Sequence, residues 1–196
     1  MHLIKLKIKK EFRCLKKNLE VSFNPITVLV GEQGSGKSSL LTLLRDNNKE
    51  YIELSLSEKI LKEGIKSFYF DSESMNPRTS RMDDYSNPDG TSKGIGIGGF
   101  LMSKFKSHGE ILREFTVNRI GDAKDCVLLL DEPEAALSLT NQYKLAKEIL
   151  KCPEGNVQII LATHCLPIIE SIDKVFSMDT MKWVDSKKFI AKSQII

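Results

Sequence analysis

The sequence predicts a three-layer α/β fold with a mostly parallel central sheet, an N-terminal antiparallel β part and a small helical subdomain over about 71–120. Three observations predict it. Apolar runs at Ile26-Thr-Val-Leu-Val30, Cys126-Val-Leu-Leu-Leu130 and Val157-Gln-Ile-Ile-Leu-Ala-Thr163 are continuous, as in parallel strands buried on both faces. Segments with apolar residues at helical spacing lie between them, so strands and helices alternate along the chain. Each run also stops at residues that carry chemistry: a glycine-rich loop, an acidic pair and His164. Open sheets of this class bind ligands at the carboxyl ends of their strands.

The 196 residues suit a single domain, 1–196, and 41% hydrophobic content supports a sizeable core. Lys plus Arg is 29 against 26 Asp plus Glu, a net +3 that permits contact with DNA without arguing for it. Cys14, Cys126, Cys152 and Cys165 form no Cys-x-x-Cys pair, which argues against zinc and for reduced thiols in a cytoplasmic protein. The start, Met1-His-Leu-Ile-Lys-Leu-Lys-Ile-Lys-Lys10, is too charged for a secretory signal. No run approaches the roughly 20 apolar residues of an integral membrane segment.

Taken in order, Ile4, Leu6 and Ile8 alternate with Lys5, Lys7 and Lys9 as a half-buried strand. Leu19, Val21 and Phe23 form a second, with Lys16-Lys-Asn18 as the turn of an antiparallel pair. The lysines read as a solvated edge that discourages aggregation. Ser39-Leu-Leu-Thr-Leu-Leu44 opens a helix after the third strand. Residues 57–61 start a short helix that stops at Gly64, and Ser67-Phe-Tyr-Phe70 is a short strand. Asn76-Pro77, Asn87-Pro-Asp-Gly90 and Gly94-Ile-Gly-Ile-Gly-Gly99 are turn signals of a surface loop. Ile111, Leu112 and Phe115 follow at helical spacing, with Ser107 as cap and Glu110 three residues on. Beyond the strand at 126–130, Leu145, Ala146, Ile149 and Leu150 form one stripe of an amphipathic helix over 142–150. Val175-Phe-Ser-Met178 is a further strand, and the charged tail is ambiguous.

The chemistry centres on Gly31-Glu-Gln-Gly-Ser-Gly-Lys-Ser38, which fits G-x-x-x-x-G-K-[ST] between a strand and a helix, the context of a P-loop NTPase. Gly31, Gly34 and Gly36 let the backbone curl, so that the loop through Glu32, Gln33, Ser35 and the helix start at Ser39 cradles phosphate. Lys37 reaches the β- and γ-phosphates of ATP, and the Ser38 hydroxyl ligates Mg²⁺. Asp131 ends an apolar strand and holds Mg²⁺ opposite Ser38. Glu132 is placed to orient or deprotonate the attacking water, and His164 to contact the γ-phosphate. An acidic pair is also an ordinary helix cap, and a histidine at a strand end is often structural. The phosphate loop beside them favours the catalytic reading.

These residues resemble the ABC-type ATPases, and more closely the RecF, Rad50, SMC and OLD-like branch with its stand-alone AAA-annotated ATPases of bacteria and phage. The resemblance rests on Phe12-Arg-Cys14, Leu19-Glu-Val-Ser-Phe23, Leu29-Val-Gly-Glu-Gln-Gly-Ser-Gly-Lys-Ser-Ser-Leu40, Leu130-Asp-Glu-Pro-Glu-Ala-Ala-Leu-Ser138 and Ala162-Thr-His164. It implies a homodimer that closes head to tail on two ATPs. Ser107-His-Gly-Glu110 then stands as the signature motif, with Ser107 and Gly109 reaching the partner's γ-phosphate. Arg13 takes the place of a nucleotide-contacting arginine, and Ala136-Leu-Ser138 that of the loop crossing the dimer. One departure is the missing glutamine between phosphate loop and signature, for which Glu73 is the nearest substitute. There is also no long coiled coil and no nuclease module, so the resemblance implies a separate effector protein.

The leading expectation is an ATP-driven switch for a DNA-related partner in repair, nuclease action or phage defence. The alternative is the nucleotide-binding subunit of a transporter, although the Leu-Ser-Gly-Gly-Gln signature is absent. A small-molecule kinase fits the length but not Asp131-Glu132 with His164. A module that holds ATP without turnover does not fit Glu132.

Overall fold

The computed structural model describes residues 2–57, 67–71, 120, 123–135 and 137–193. Its strands are β1 (Leu3–Ile8), β2 (Glu20–Ser22), β3 (Ile26–Val30), β4 (Ile52–Leu56), β5 (Ser67–Asp71), β6 (Val127–Asp131), β7 (Gln158–Ala162), β8 (Lys174–Ser177) and β9 (Lys182–Asp185). Among the described residues the α-helices are α1 (Lys37–Asp46), α2 (Leu139–Lys151), α3 (Leu166–Glu170) and α4 (Ser186–Ser193).

The central sheet runs β5-β6-β7-β3-β8-β9. Its first five strands are parallel and β9 returns antiparallel on β8. Alternation across this sheet explains the continuous apolar runs. Val28, Val30, Leu128, Leu130, Ile159 and Leu161 pack on one face with Leu145, Ala146 and Ile149 of α2 and Ile168 of α3. Leu29, Val127, Leu129, Ile160 and Ala162 pack on the other with Leu40, Leu41 and Leu43 of α1. The second face also takes Leu6, Ile8, Val21 and Ile52 from a small antiparallel sheet, β2-β1-β4. Both faces are covered, so most positions of the inner strands β3, β6 and β7 are apolar.

Gln158 joins the two sheets. Its side-chain oxygen accepts the N–H groups of His2 at 3.0 Å and Leu3 at 2.6 Å, and its amide donates to Leu3 O at 2.8 Å and Asn24 O at 3.1 Å. The buried amide is fully satisfied, which is the condition for a polar group in a core.

Several expectations change. The N-terminal β part has three strands, because β4 pairs with β1 on the side away from β2. A register shift between Leu3 and Lys5 turns Ile4 outward, 41% exposed, and Leu3 inward. Leu150, expected on the buried stripe of α2, is 43% exposed. The ambiguous tail forms β9 and α4. The helix at 57–61 and the loop and signature segment at 72–119 lie outside the described residues, apart from Ser57.

Candidate functional site

The phosphate loop is shaped by backbone. Gly36 caps α1 at φ 100°, and a Cβ there would lie 2.7 Å from Leu15 Cδ2 and 3.0 Å from Cys14 Sγ. Only glycine meets both conditions. The turn behind it is held by mutual backbone hydrogen bonds between Phe12 and Leu15, at 3.0 and 2.9 Å. Arg13 sits in that turn at φ 54°, with its guanidinium 5.2 Å from the centre of the Phe12 ring. The far side of the loop is held by Asp179, whose carboxylate accepts the Glu32 N–H at 3.3 Å. A Cβ on Gly31 would meet that carboxylate at 3.0 Å. Ser35 Oγ is buried without a hydrogen-bond partner among the described residues.

Lys37 is buried, and its Nζ donates to Gly31 O at 2.9 Å and Glu32 O at 3.0 Å. Burial pushes its pKa below the ordinary lysine value, while Glu132, Asp179, Asp131 and Glu32 pull it back up. The first N–H groups of α1 have no intrahelical acceptor, so this helix end is suited to an anion.

The acidic side is built by long-range contacts. Ser38 Oγ donates to Asp131 Oδ1 at 3.1 Å, and Tyr69 OH donates to Asp131 Oδ2 at 3.4 Å. Burial raises the Asp131 pKa, with Asp71 and Glu132 adding to the rise, while the Ser38 and Tyr69 hydroxyls oppose it. Asp71 lies beside Asp131 in the register of β5 on β6. The Tyr69 pKa is pushed up to about 12, first by burial and then by Asp131 and Asp71. Glu132 follows at φ 46°, a left-handed conformation unusual for glutamate, and its N–H donates to Ala162 O at 2.9 Å. Backbone held in such a region concentrates at functional sites.

Arg13, Gln33, Gly34, Lys37, Ser38 and Ser39 line one cleft of about 360 Å³, together with Glu132 and His164. A larger cavity of about 600 Å³ touches Gly31, Glu32 and His164 from the other side, with Leu166, Ile169, Val184, Phe189 and Ile190 on its walls. Of these two cavities the smaller alone is lined by Lys37, Ser38 and Glu132, which makes it the candidate site. Ser107, Gly109 and Glu73 lie outside the described residues.

The donor set fits Mg²⁺. Ser38 and Asp131 bring two hard oxygens together, and Asp131 is a buried carboxylate crowded by Asp71 and Glu132, a charge pattern that a divalent cation relieves. Among the described residues no three His, Cys, Asp or Glu side chains are grouped to hold a metal. Mg²⁺ keeps several waters and needs only one or two protein carboxylates with phosphate oxygens.

Sequence reasoning missed Tyr69, Glu134, Thr163 and Asp179. Glu134 is buried, with Oε1 accepting the Thr163 hydroxyl at 2.5 Å and the His164 N–H at 3.1 Å. A third acidic residue in Asp131-Glu-Pro-Glu134 was a visible signal for it. Tyr69 and Asp179 had none, because only the sheet brings them to the loop.

No protein-family profile matches the chain, and no curated protein does. Solved structures share its fold. It is 19% identical to cbiO1 from Clostridium perfringens, part of an ABC transporter complex, with a TM-score of 0.55 over 100% of this chain and 93% of that one. An ATP-binding cassette of an ABC transporter in its ADP conformation gives 15%, 0.57, 100% and 97% for the same measures. The SMC head domain from Thermotoga maritima gives 14%, 0.56, 90% and 93%. The chain therefore has the mixed α/β fold of these ATPase cassettes, with a mostly parallel sheet and an antiparallel β part.

Proposed function

We propose that this chain is an ABC-type ATPase that hydrolyses Mg-ATP, closes head to tail with a second copy on ATP binding, and switches a DNA-related partner in repair, nuclease action or phage defence. The observation that carries the hydrolase reading is the hydrogen bond from Ser38 to Asp131 within a cleft also lined by Lys37, Glu132 and His164. Lys37 and the α1 N-terminus bind the phosphates. Ser38 and Asp131 would hold Mg²⁺, which supplies charge neutralisation at the β- and γ-phosphates. Glu132 takes the proton of the attacking water as the bond from the γ-phosphorus to the ADP oxygen breaks. His164 donates to the γ-phosphate, and Arg13 at the rim binds the nucleotide. Ser107 and Gly109 of the second copy complete the site. Closure is driven by the higher affinity of ATP for the closed state.

The test is the solution mass of Glu132→Gln by light scattering, with and without Mg-ATP. A shift from monomer to dimer supports the switch. A variant that binds ATP and stays monomeric removes the homodimer from the reading. A transporter subunit would use the same cleft, and two of the structural neighbours described above are named for transporters. Among the described residues no helix is long and apolar enough to cross a membrane, so such a subunit would need a separate membrane partner. The missing Leu-Ser-Gly-Gly-Gln signature favours the DNA-related reading. Membrane co-fractionation of the native protein would reverse that preference.

A further inference from the structure

Glu134 is outside the cleft that Glu132 and His164 line, yet its buried carboxyl bonds to the loop that carries His164. It is 8% exposed, and its two oxygens are treated unequally. Oε1 accepts from Thr163 Oγ1 at 2.5 Å and from the His164 N–H at 3.1 Å, while Oε2 is buried with no partner among the described residues. Thr163 Oγ1 in turn accepts the Cys165 N–H at 2.9 Å. Burial raises the Glu134 carboxyl above the ordinary glutamate value, and the Thr163 and His164 donors oppose that rise.

A carboxyl this buried and half-satisfied is costly, so a core-filling role alone would be met better by an apolar side chain. Its partners show what it does. Glu134 lies three residues after the end of β6, and Thr163 and His164 directly follow β7. The hydrogen bonds therefore fasten the acidic loop to the loop that carries the imidazole. The Glu132 N–H to Ala162 O bond ties the acidic loop to the last residue of β7.

We infer that Glu134 is the positioning residue of His164: its carboxyl fixes the backbone at Thr163 and His164 so that the imidazole faces the phosphate cleft. Movement of the acidic loop is thereby passed to His164 through Oε1. The catalytic consequence rests on the ATPase reading above, but the placement of the imidazole does not.

The experiment separates the two. The imidazole proton–carbon resonances of the three histidines are recorded in the wild type, and His164→Ala assigns the His164 peak. In Glu134→Ala the His164 peak shifts or broadens while the His2 peak stays in place. Glu134→Gln keeps an acceptor oxygen for both donors and restores the peak toward its wild-type position. Thr163→Val removes one donor at nearly constant volume and moves the His164 peak if Glu134→Ala does not fold. A His164 peak unmoved in Glu134→Ala, or in Thr163→Val in its place, overturns the proposal.

Turnover is then measured in the same proteins. Glu134→Ala lowers kcat at least tenfold with ATP affinity unchanged. Combined with His164→Ala it adds less than twofold, because both changes remove one unit. Independent, multiplying losses overturn the coupling to His164. A wild type that binds ATP without hydrolysing it defeats the ATPase reading and leaves the resonance test of Glu134 standing.

Discussion

The phosphate loop and the acidic loop face each other across one cleft, yet they are held by opposite means. The first is local. Gly36 is fixed by its own φ, and Lys37 bonds to carbonyls five and six residues before it. The second is assembled from afar. Asp131 meets Ser38 across 93 positions and Tyr69 across 62, and Glu134 meets Thr163 across 29. A local loop needs small residues and free backbone donors. A loop built from carboxylates needs buried partners, and burial then shifts its titration. Substitutions on the two sides should therefore fail differently.

The largest effect should come from Glu132→Gln. Loss of a general base lowers kcat by about 10²–10⁴-fold, while ATP affinity changes little; this is read by phosphate release and fluorescent-nucleotide binding. Turnover at the wild-type rate would remove Glu132 from catalysis. Lys37→Ala should act on binding instead, raising the ATP Kd by about 100-fold, or ~2.7 kcal/mol, with the circular-dichroism spectrum of the fold kept. An unchanged Kd would break the phosphate-loop assignment.

Gly36→Ala should fall between the two loops in character. Its backbone strain alone costs about 1–3 kcal/mol, and the added Cβ presses on Leu15 and Cys14. The expected result is a weaker Kd together with a lower Tm in thermal unfolding. Wild-type values for both would show that the loop adopts another shape.

The smallest effect, and the sharpest contrast, is Asp131→Asn in the nucleotide-free protein. The folded-state pKa of Asp131 is raised, so ionisation in the folded state is unfavourable. That cost is present above the folded pKa and vanishes as pH falls below the unfolded value. Asp131→Asn should therefore raise Tm by a few degrees at pH 7, with the gain shrinking at acid pH. It should also lose the Mg²⁺-dependent part of ATP binding. A Tm lower than wild type at pH 7 would mean that the Ser38 and Tyr69 hydrogen bonds outweigh the burial of the charge.

The same division governs how much could be read before the structure. The strand, loop and helix around Gly31-Glu-Gln-Gly-Ser-Gly-Lys-Ser38 were legible because each signal lies within a few residues of the next. The places of Asp131, Glu132 and His164 were legible, since all three lie at or just past the ends of continuous apolar runs. β4 was not, because Ile52-Glu-Leu-Ser-Leu56 has only one fully buried residue and gains its pairing from β1. Ile4 was misplaced because a register shift in one strand reverses which face a side chain takes.

By itself, then, the sequence determined the α/β class, the parallel core strands and the phosphate loop, whose conformations depend on nearest neighbours and on the period of apolar residues. Only the tertiary structure decided that Tyr69 and Ser38 would divide the two oxygens of Asp131, that Asp179 would hold Glu32, and that Glu134 would reach His164. Those contacts join residues far apart in the chain, and strand order alone brings them within hydrogen-bonding distance.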